Sequence, residues 1–447
     1  MQTVLLSEVR RVALLAAPVA LAELGWMAMT TVDTIMVAPL GPAAIGAIGV
    51  GNSAFYTLAI FGMGLLLGLD TLVSQSHGAG DKADTHHSLA QGVYSAILIA
   101  IPLTVIFLYM PGIFRLLGVN AEVSAPAGLF VRTLNLSTLP LLFYGAFRRY
   151  LQAIGHVRPV MFVLISANLI NWLFNWLLIQ GHWGLPALGV VGSALSTCFA
   201  RFYMAGLLLG FICWFERGNE AGLRSLVRPP DPSRLLRLMG LGLPAATQIL
   251  LEIGAFGAAA MMAGRLQPVA LAAHQIALNC AGLSFMVPLG ISSAAAVAVG
   301  QAIGRREPGV ARSDGFIAIG LGCAFMSCAA VAFVAIPERI LRFYTQDLNV
   351  LHIGISLLAI AAVFQLFDGI QAVATGALRG LGNTRLPALV NFVGYWIFGL
   401  PIGYVLCFHY GYGVRGLWWG LTLALIAISL VVLNSWRVHS RELVRWA

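Results

Sequence analysis

Apolar residues along this chain do not alternate with polar ones; they accumulate in long runs. Twelve runs can be placed, at 12–38, 45–69, 88–110, 124–146, 159–180, 187–214, 239–262, 270–299, 314–336, 349–378, 386–407 and 412–436. About 20 apolar residues carry an α-helix across the hydrocarbon of a bilayer, where a helix satisfies its own backbone hydrogen bonds. The pattern therefore predicts an all-α integral membrane protein with twelve transmembrane helices. Between the sixth and seventh runs lies the charged stretch ERGNEAGLRSLVRPPDPSRLLR, 216–237. Its five arginines and Pro-rich turn mark a cytoplasmic linker and give no signal for a separate domain.

The runs repeat. Pro18 recurs as Pro244, Pro42 as Pro268, Gly64 as Gly290 and Gly78 as Gly304, all at an offset of 226. Gly155 and Arg158 match Gly382 and Arg385 at 227, and GVVG at 189–192 matches GVRG at 413–416 at 224. Six spans per copy give both copies the same orientation. The expectation is two six-helix lobes, 1–215 and 238–447, related by a pseudo-two-fold axis along the membrane normal. Rocking of two such lobes provides alternating access, so the duplication favours a transporter over a purely structural membrane protein.

Composition agrees with the pattern: 59% of the 447 residues are hydrophobic and 10% are charged, against about 25% charged in a soluble domain. With a cytoplasmic N-terminus, the inner segments hold 19 of the 26 basic residues and the outer segments five. This positive-inside bias predicts that both termini are cytoplasmic. The net charge of +9 thus reports topology and contact with anionic lipid, and implies no nucleic-acid partner. Arg10 and Arg11 precede a run too long for a cleaved signal, which reads as the first helix. All six cysteines fall inside apolar runs and read as small hydrophobes.

Four acids sit well inside spans: Glu23, Asp33, Glu252 and Asp368. An ionisable group at that depth costs several kcal/mol, so it faces the protein interior or a wet cavity. Gln365, Asp368, Gln371 and Thr375 recur at helical spacing and share one side of their helix. Gln248 precedes Glu252 by one turn, and no basic residue shares that helix. Such carboxylates can exchange a proton for sodium or for a cationic substrate. The acids also break the repeat, since Asp33 corresponds to Ala259, Glu252 to Trp26 and Asp368 to Leu141. Asn171 and Asn175 lie one turn apart and offer hard oxygen ligands suited to sodium, with Thr197 as a further oxygen; paired asparagines are equally ordinary interhelical glue. Met27 and Met29 precede Asp33, while Met261 and Met262 follow Glu252, where polarizable side chains would suit an amphiphilic cation; ordinary core or lipid-facing methionine is the competing reading. Arg201, alone in the sixth span, reads as a snorkelling or internally paired cation.

Other chemistries find no support. The stretch GLDTLVSQSHGAGDKADTHH, read as a loop with Asp70, His77, His86 and His87, has no zinc-ligand spacing. Its glycines lack the phosphate-cradling pattern that ATP would require. No GxSxG or HExxH occurs, so an intramembrane enzyme is disfavoured.

These residues together resemble the multidrug and toxic compound extrusion (MATE) family. The resemblance rests on VDTIMV at 32–37, LDTLVSQSHGAG at 69–80, the Glu252 helix, FMVPLGISSAAAVAVGQAIG at 285–304, FQLFDGIQAVATGALRGLGNTRLP at 364–387 and the following GVRGLWWG. It implies a monomeric twelve-helix, two-lobe antiporter that exports amphiphilic, cationic small molecules in exchange for sodium or protons, with no further cofactor. By position, Asp33, Asn171, Asn175 and Thr197 resemble the family's N-lobe cation site. Glu252 and Asp368 resemble the C-lobe pair of the NorM-like branch. Met27, Met29, Gln248, Met261, Gln365 and Thr375 are the candidate substrate-cavity residues. Asp70 resembles the eukaryotic-type branch, and Asn175 stands where the archaeal branch has an acid, which leaves sodium and proton both open. The rival transport reading is a flippase of lipid-linked precursors, which would need a basic cavity for pyrophosphate where the embedded charges here are mainly acidic.

Overall fold

The computed structural model describes residues 2–118, 120–217 and 228–445, so 218–227 of the expected linker lie outside the described residues. The described chain contains helices and no strand. In order they are α1 (Gln2–Val37), α2 (Pro42–Leu65), α3 (Gly68–Gly78), α4 (Lys82–Leu116), α5 (Ala121–Asn135), α6 (Thr138–Ala153), α7 (Val157–Gln180) and α8 (Val190–Glu216). There follow α9 (Pro232–Ala263), α10 (Pro268–Gly304), α11 (Pro308–Ala335), α12 (Pro337–Arg342), α13 (Leu348–Gly380), α14 (Arg385–Asn391), α15 (Leu400–Tyr404) and α16 (Val414–Arg445). π-Helical turns, Phe392–Gly399 and Val405–His409, flank α15.

Eleven stretches among the described residues are long and apolar enough to cross a membrane. The remaining expected span, 124–146, is divided between α5 and α6. The break has a chemical cause. Thr138 Oγ1 donates to Asn135 Oδ1 at 2.9 Å, Asn135 Nδ2 donates to the Thr104 carbonyl at 3.2 Å, and Ser137 Oγ donates to the Leu134 carbonyl at 2.7 Å. Short polar side chains that bond nearby backbone groups compete with the helix ladder, and Ser137 does so at this break. The stretch around Asp70 also departs from the reading as a loop. It folds as α3, a single turn break away from α2, and the two fill Pro42–Gly78 as one apolar span.

Two compact units make up the chain. One comprises Leu21–His77 and Asp81–Ala246; the other comprises Met1–Ala20, Gly78–Gly80 and Thr247–Ala447. The division inside α1 falls after Ala20 and that inside α9 after Ala246, 226 residues later. Repeat-equivalent helices are thus divided at equivalent positions, each two residues beyond its internal proline, Pro18 or Pro244.

The first unit packs around Phe55, Phe107, Phe130, Tyr144 and Met204, with the Phe55 and Phe107 rings stacked at 4.5 Å. Gly192 of α8 lies directly against the Leu178 carbonyl of α7, where a Cβ would collide. The second unit has an alanine-rich seam between α10 and α13, lined by Ala294, Ala295, Ala374 and Ala377. Small residues let helix backbones approach closely in a membrane, and the Ser292 hydroxyl of α10 reaches the Ala372 carbonyl of α13 at 2.7 Å. Outward-facing Leu98, Ile101, Phe162 and Leu169 are each more than half exposed, as suits contact with hydrocarbon.

Candidate functional site

In the first unit three of the expected residues converge on the carboxylate of a fourth, Asp33. Asp33 lies near the end of α1 and is 2% exposed. Its Oδ1 accepts hydrogen bonds from Asn171 Nδ2 at 3.0 Å and Asn175 Nδ2 at 2.7 Å, and its Oδ2 accepts one from the Thr197 hydroxyl at 3.0 Å. The i, i+4 spacing on α7 aims both amides at one point. Asn175 Nδ2 also lies 3.2 Å from Asn171 Oδ1, whereas Asn175 Oδ1 and the Ser193 hydroxyl, both buried, have no partner among the described residues.

One turn beyond Thr197 on α8, Arg201 is 1% exposed and so does not snorkel. Its Nη1 donates to Ser137 Oγ at 2.9 Å and its Nη2 to the Tyr56 hydroxyl at 3.3 Å. The guanidinium carbon sits 4.7 Å from the centre of the Phe55 ring. The break between α5 and α6 is what presents Ser137 to it.

The second unit holds the other acids. Asp368 of α13 is 5% exposed, and Glu252 of α9 is half-buried. The Gln371 side chain lies beside Glu252, and its Nε2 donates to Asn391 Oδ1 at 3.3 Å. Tyr395, on the first π-helical turn, is fully buried within electrostatic reach of both acids. The Tyr395 phenol oxygen, Gln371 Oε1 and Thr375 Oγ1 are buried without a partner among the described residues. The α13 stripe of Gln365, Asp368, Gln371 and Thr375 is buried along its length, as its spacing predicts, and Gln365 donates to Ser284 Oγ. Neither Asp33, Glu252 nor Asp368 has an ion-pair partner among the described residues.

The sequence model of the MatE family matches the chain twice, over residues 18–177 and 244–405. The chain belongs to the MatE family. The two matches begin 226 residues apart, the offset of the repeated prolines. A multidrug resistance protein NorM of Burkholderia vietnamiensis is 38% identical over 433 residues, which cover 95% of this chain and 92% of the relative. A probable multidrug resistance protein NorM of Brucella suis is 36% identical, covering 94% and 91% of the two chains. Among solved structures, the eukaryotic MATE transporter AtDTX14 superposes with a TM-score of 0.86 at 21% identity, covering 98% of each chain. A MATE protein in a bent conformation superposes at 0.89 with 18% identity, covering 97% of this chain and 96% of its own. Both share the two-lobe helical fold. This is a multi-pass membrane transporter of the MatE family and not an enzyme.

In this MatE chain the other marked residues divide by position. Met29 is buried and Met27 half-buried on the helix that carries Asp33. Gln248 is buried one turn before Glu252, and Met262 packs on the core of its unit. Met261 is 77% exposed. Glu23 forms a buried ion pair with Arg148 of α6, which gives it a structural role. Asp70 of α3 is paired with Arg149 at 3.3 Å. Sequence reasoning did not anticipate Ser137, Tyr56 and Phe55 around Arg201, nor Asn391 and Tyr395 beside the second pair of acids. The polar run Asn135, Ser137 and Thr138 inside an apolar span was a signal for the first group; nothing local marks the second.

Proposed function

We propose that this chain is a secondary active multidrug exporter of the bacterial inner membrane, working as a monomer with both termini in the cytoplasm. It moves amphiphilic cationic compounds outward in exchange for sodium ions or protons. The observation that carries this reading is the pair of embedded acidic centres, Asp33 in one unit and Glu252 with Asp368 in the other, none of them ion-paired among the described residues. A carboxylate kept at bilayer depth without an ion-pair partner is costly unless a mobile cation visits it. A substrate cation and a coupling cation can then compete for the same charge. Net coupling follows when the ion favours one conformer over the other. The names of the NorM relatives, multidrug resistance proteins, supply the substrate class.

Reconstitution in liposomes tests it. Ethidium efflux is expected under an imposed sodium or proton gradient, and it should fail in Asp33→Asn and in Asp368→Asn. Folded wild-type protein that moves no ethidium and no fluoroquinolone under either gradient would refute the antiport reading and turn attention to lipid-linked substrates.

A further inference from the structure

His274 is a buried titratable group that belongs to neither acidic centre. It lies within the first two turns of α10, in an apolar cluster with Ala273, Ala277 and Leu357. Its Nδ1 accepts a hydrogen bond from Trp418 Nε1 of α16 at 3.1 Å, and both side chains are buried. An indole N–H only donates, so Nδ1 is the bare nitrogen and the ring proton sits on Nε2. Nε2 is itself buried and has no partner among the described residues. The bond to Trp418 therefore exists only while His274 is neutral, because an imidazolium carries N–H on both nitrogens and has no lone pair to offer. The unsatisfied Nε2 donor also costs free energy, which weakens the hold of the neutral state.

No neighbouring charge decides the matter. Away from the opposite helix ends, the elements packed against α10 carry His352 and Asp368 on α13, Arg415 on α16, and Cys323 and Cys328 on α11. Cys280 lies on α10 itself, Arg265 just before it, and Tyr344 is bonded to its Asn279. None of these acts electrostatically on His274.

Trp418 leads back to the acids. Its ring meets Phe364 at 6.0 Å between centroids, Phe364 meets Phe256 at 6.0 Å, and Phe256 meets Tyr395 at 5.9 Å. Phe364 stands one turn before Asp368 on α13, and Phe256 one turn after Glu252 on α9. His274 and Trp418 break the repeat as the acids do, since Ile48 and Ala194 stand at the corresponding offsets of 226 and 224.

We infer that His274 is a positioning residue governed by its own proton: neutral, it holds Trp418 and through it the series of rings beside Glu252 and Asp368, and protonated, it releases them. The two-state element is the His274–Trp418 bond. The bonded conformer takes no proton at His274 and the released conformer takes one, so acidification favours release, by about tenfold for each pH unit below the titration of the released ring. This goes beyond the antiport reading and does not depend on it.

Fluorine NMR of the full-length protein in lipid nanodiscs, labelled with fluorotryptophan, tests the inference. The Trp418 resonance is the one lost in Trp418→Phe. It is expected to move between about pH 8 and about pH 5 in wild type and in His352→Gln, a control for another histidine of the same unit, and to stay fixed in His274→Gln, whose amide oxygen still accepts the bond. His274→Leu offers no acceptor and should hold the resonance at one released position at both pH values; it serves as well should His274→Gln not fold. With fluorotyrosine, the Tyr395 resonance, assigned by Tyr395→Phe, should coincide in wild type and His274→Gln at the higher pH and differ at the lower. A Trp418 resonance that is fixed in wild type, or that moves equally in either His274 variant, would overturn the inference. So would Tyr395 resonances that coincide at both pH values, because the rings would then not carry the change to the acids. These resonances require neither transport nor a bound ion, so failure here is distinguishable from failure of the antiport reading.

Discussion

Asn175 donates to Asp33 Oδ1 at 2.7 Å, the shortest of the three bonds that meet this carboxylate, from a helix 142 residues further along the chain. Replacing it by leucine keeps the volume and removes the donor. Asp33 then keeps Asn171 and Thr197 but loses part of its solvation, at a cost of about 1–3 kcal/mol for a buried polar group left short of a partner. Asn175→Leu should therefore melt lower and transport more slowly than wild type. Ethidium efflux and a thermal melt in detergent check both. Full efflux at an unchanged melting temperature would show that the bond does not support the site.

Glu23 and Arg148 form a buried ion pair between α1 and α6, with side chains 10% and 4% exposed. Glu23→Gln leaves the Arg148 guanidinium buried without its counter-charge. Breaking a buried pair from one side costs about 3–5 kcal/mol, whereas replacing both partners by apolar residues is often neutral. The expected order of melting temperatures is wild type near Glu23→Leu/Arg148→Met, with Glu23→Gln well below both. Equal melting of all three would remove the structural role assigned to this pair.

The spans, the repeat and the α7 pair were legible because each is a local or periodic signal. Asn171 and Asn175 had to share a face once α7 was a helix, and the repeated prolines reappear as the starts of the two family matches. Thr197 reached Asp33 only through a resemblance, since nothing within α8 states which helix it will meet. Arg201 was ambiguous for the same reason: snorkelling and internal pairing differ in tertiary surroundings, and Ser137 is presented by a helix break that a hydropathy window averages away. Asp70 lies on a helix and not in a loop, where it is buried and paired with Arg149, a partner 79 residues away that nothing local in the sequence marks. Tyr395 sits on a π-helical turn, whose extra residue per turn shifts the side-chain register away from the one a regular helix predicts.

Gly376 of α13 faces the Ser292 backbone so closely that a Cβ could not fit without moving one helix. Gly206 of α8 has open space in the same test. Gly376→Ala should destabilise by about 1–3 kcal/mol through overpacking. Gly206→Ala should gain about 0.5–1 kcal/mol, as alanine is the better helix former. Opposite shifts in melting temperature are the expected result. A neutral Gly376→Ala would mean that the α10–α13 seam yields more readily than its packing implies.

Glu252 and Asp368 should separate stability from transport. Neither acid anchors an ion pair, and Asp368 accepts no hydrogen bond among the described residues, so their amide isosteres remove no contact on which the fold depends. Removing an ionisable group from bilayer depth also relieves part of its burial cost. Glu252→Gln and Asp368→Asn are therefore expected to melt at or above the wild-type temperature. They should still bind ethidium, though more weakly, because the apolar surroundings remain while the charge is gone, and they should lose efflux driven by an ion gradient, because an amide carries no charge for which ion and substrate can compete. Equilibrium dye binding, a thermal melt and gradient-driven efflux on the same preparations distinguish the cases. Loss of all three would make these acids structural, and retention of all three would move the coupling site elsewhere. Loss of efflux with melting undiminished and ethidium still bound is the pattern that a coupling residue requires, since a defect in folding would lower melting and a lost substrate cavity would abolish binding.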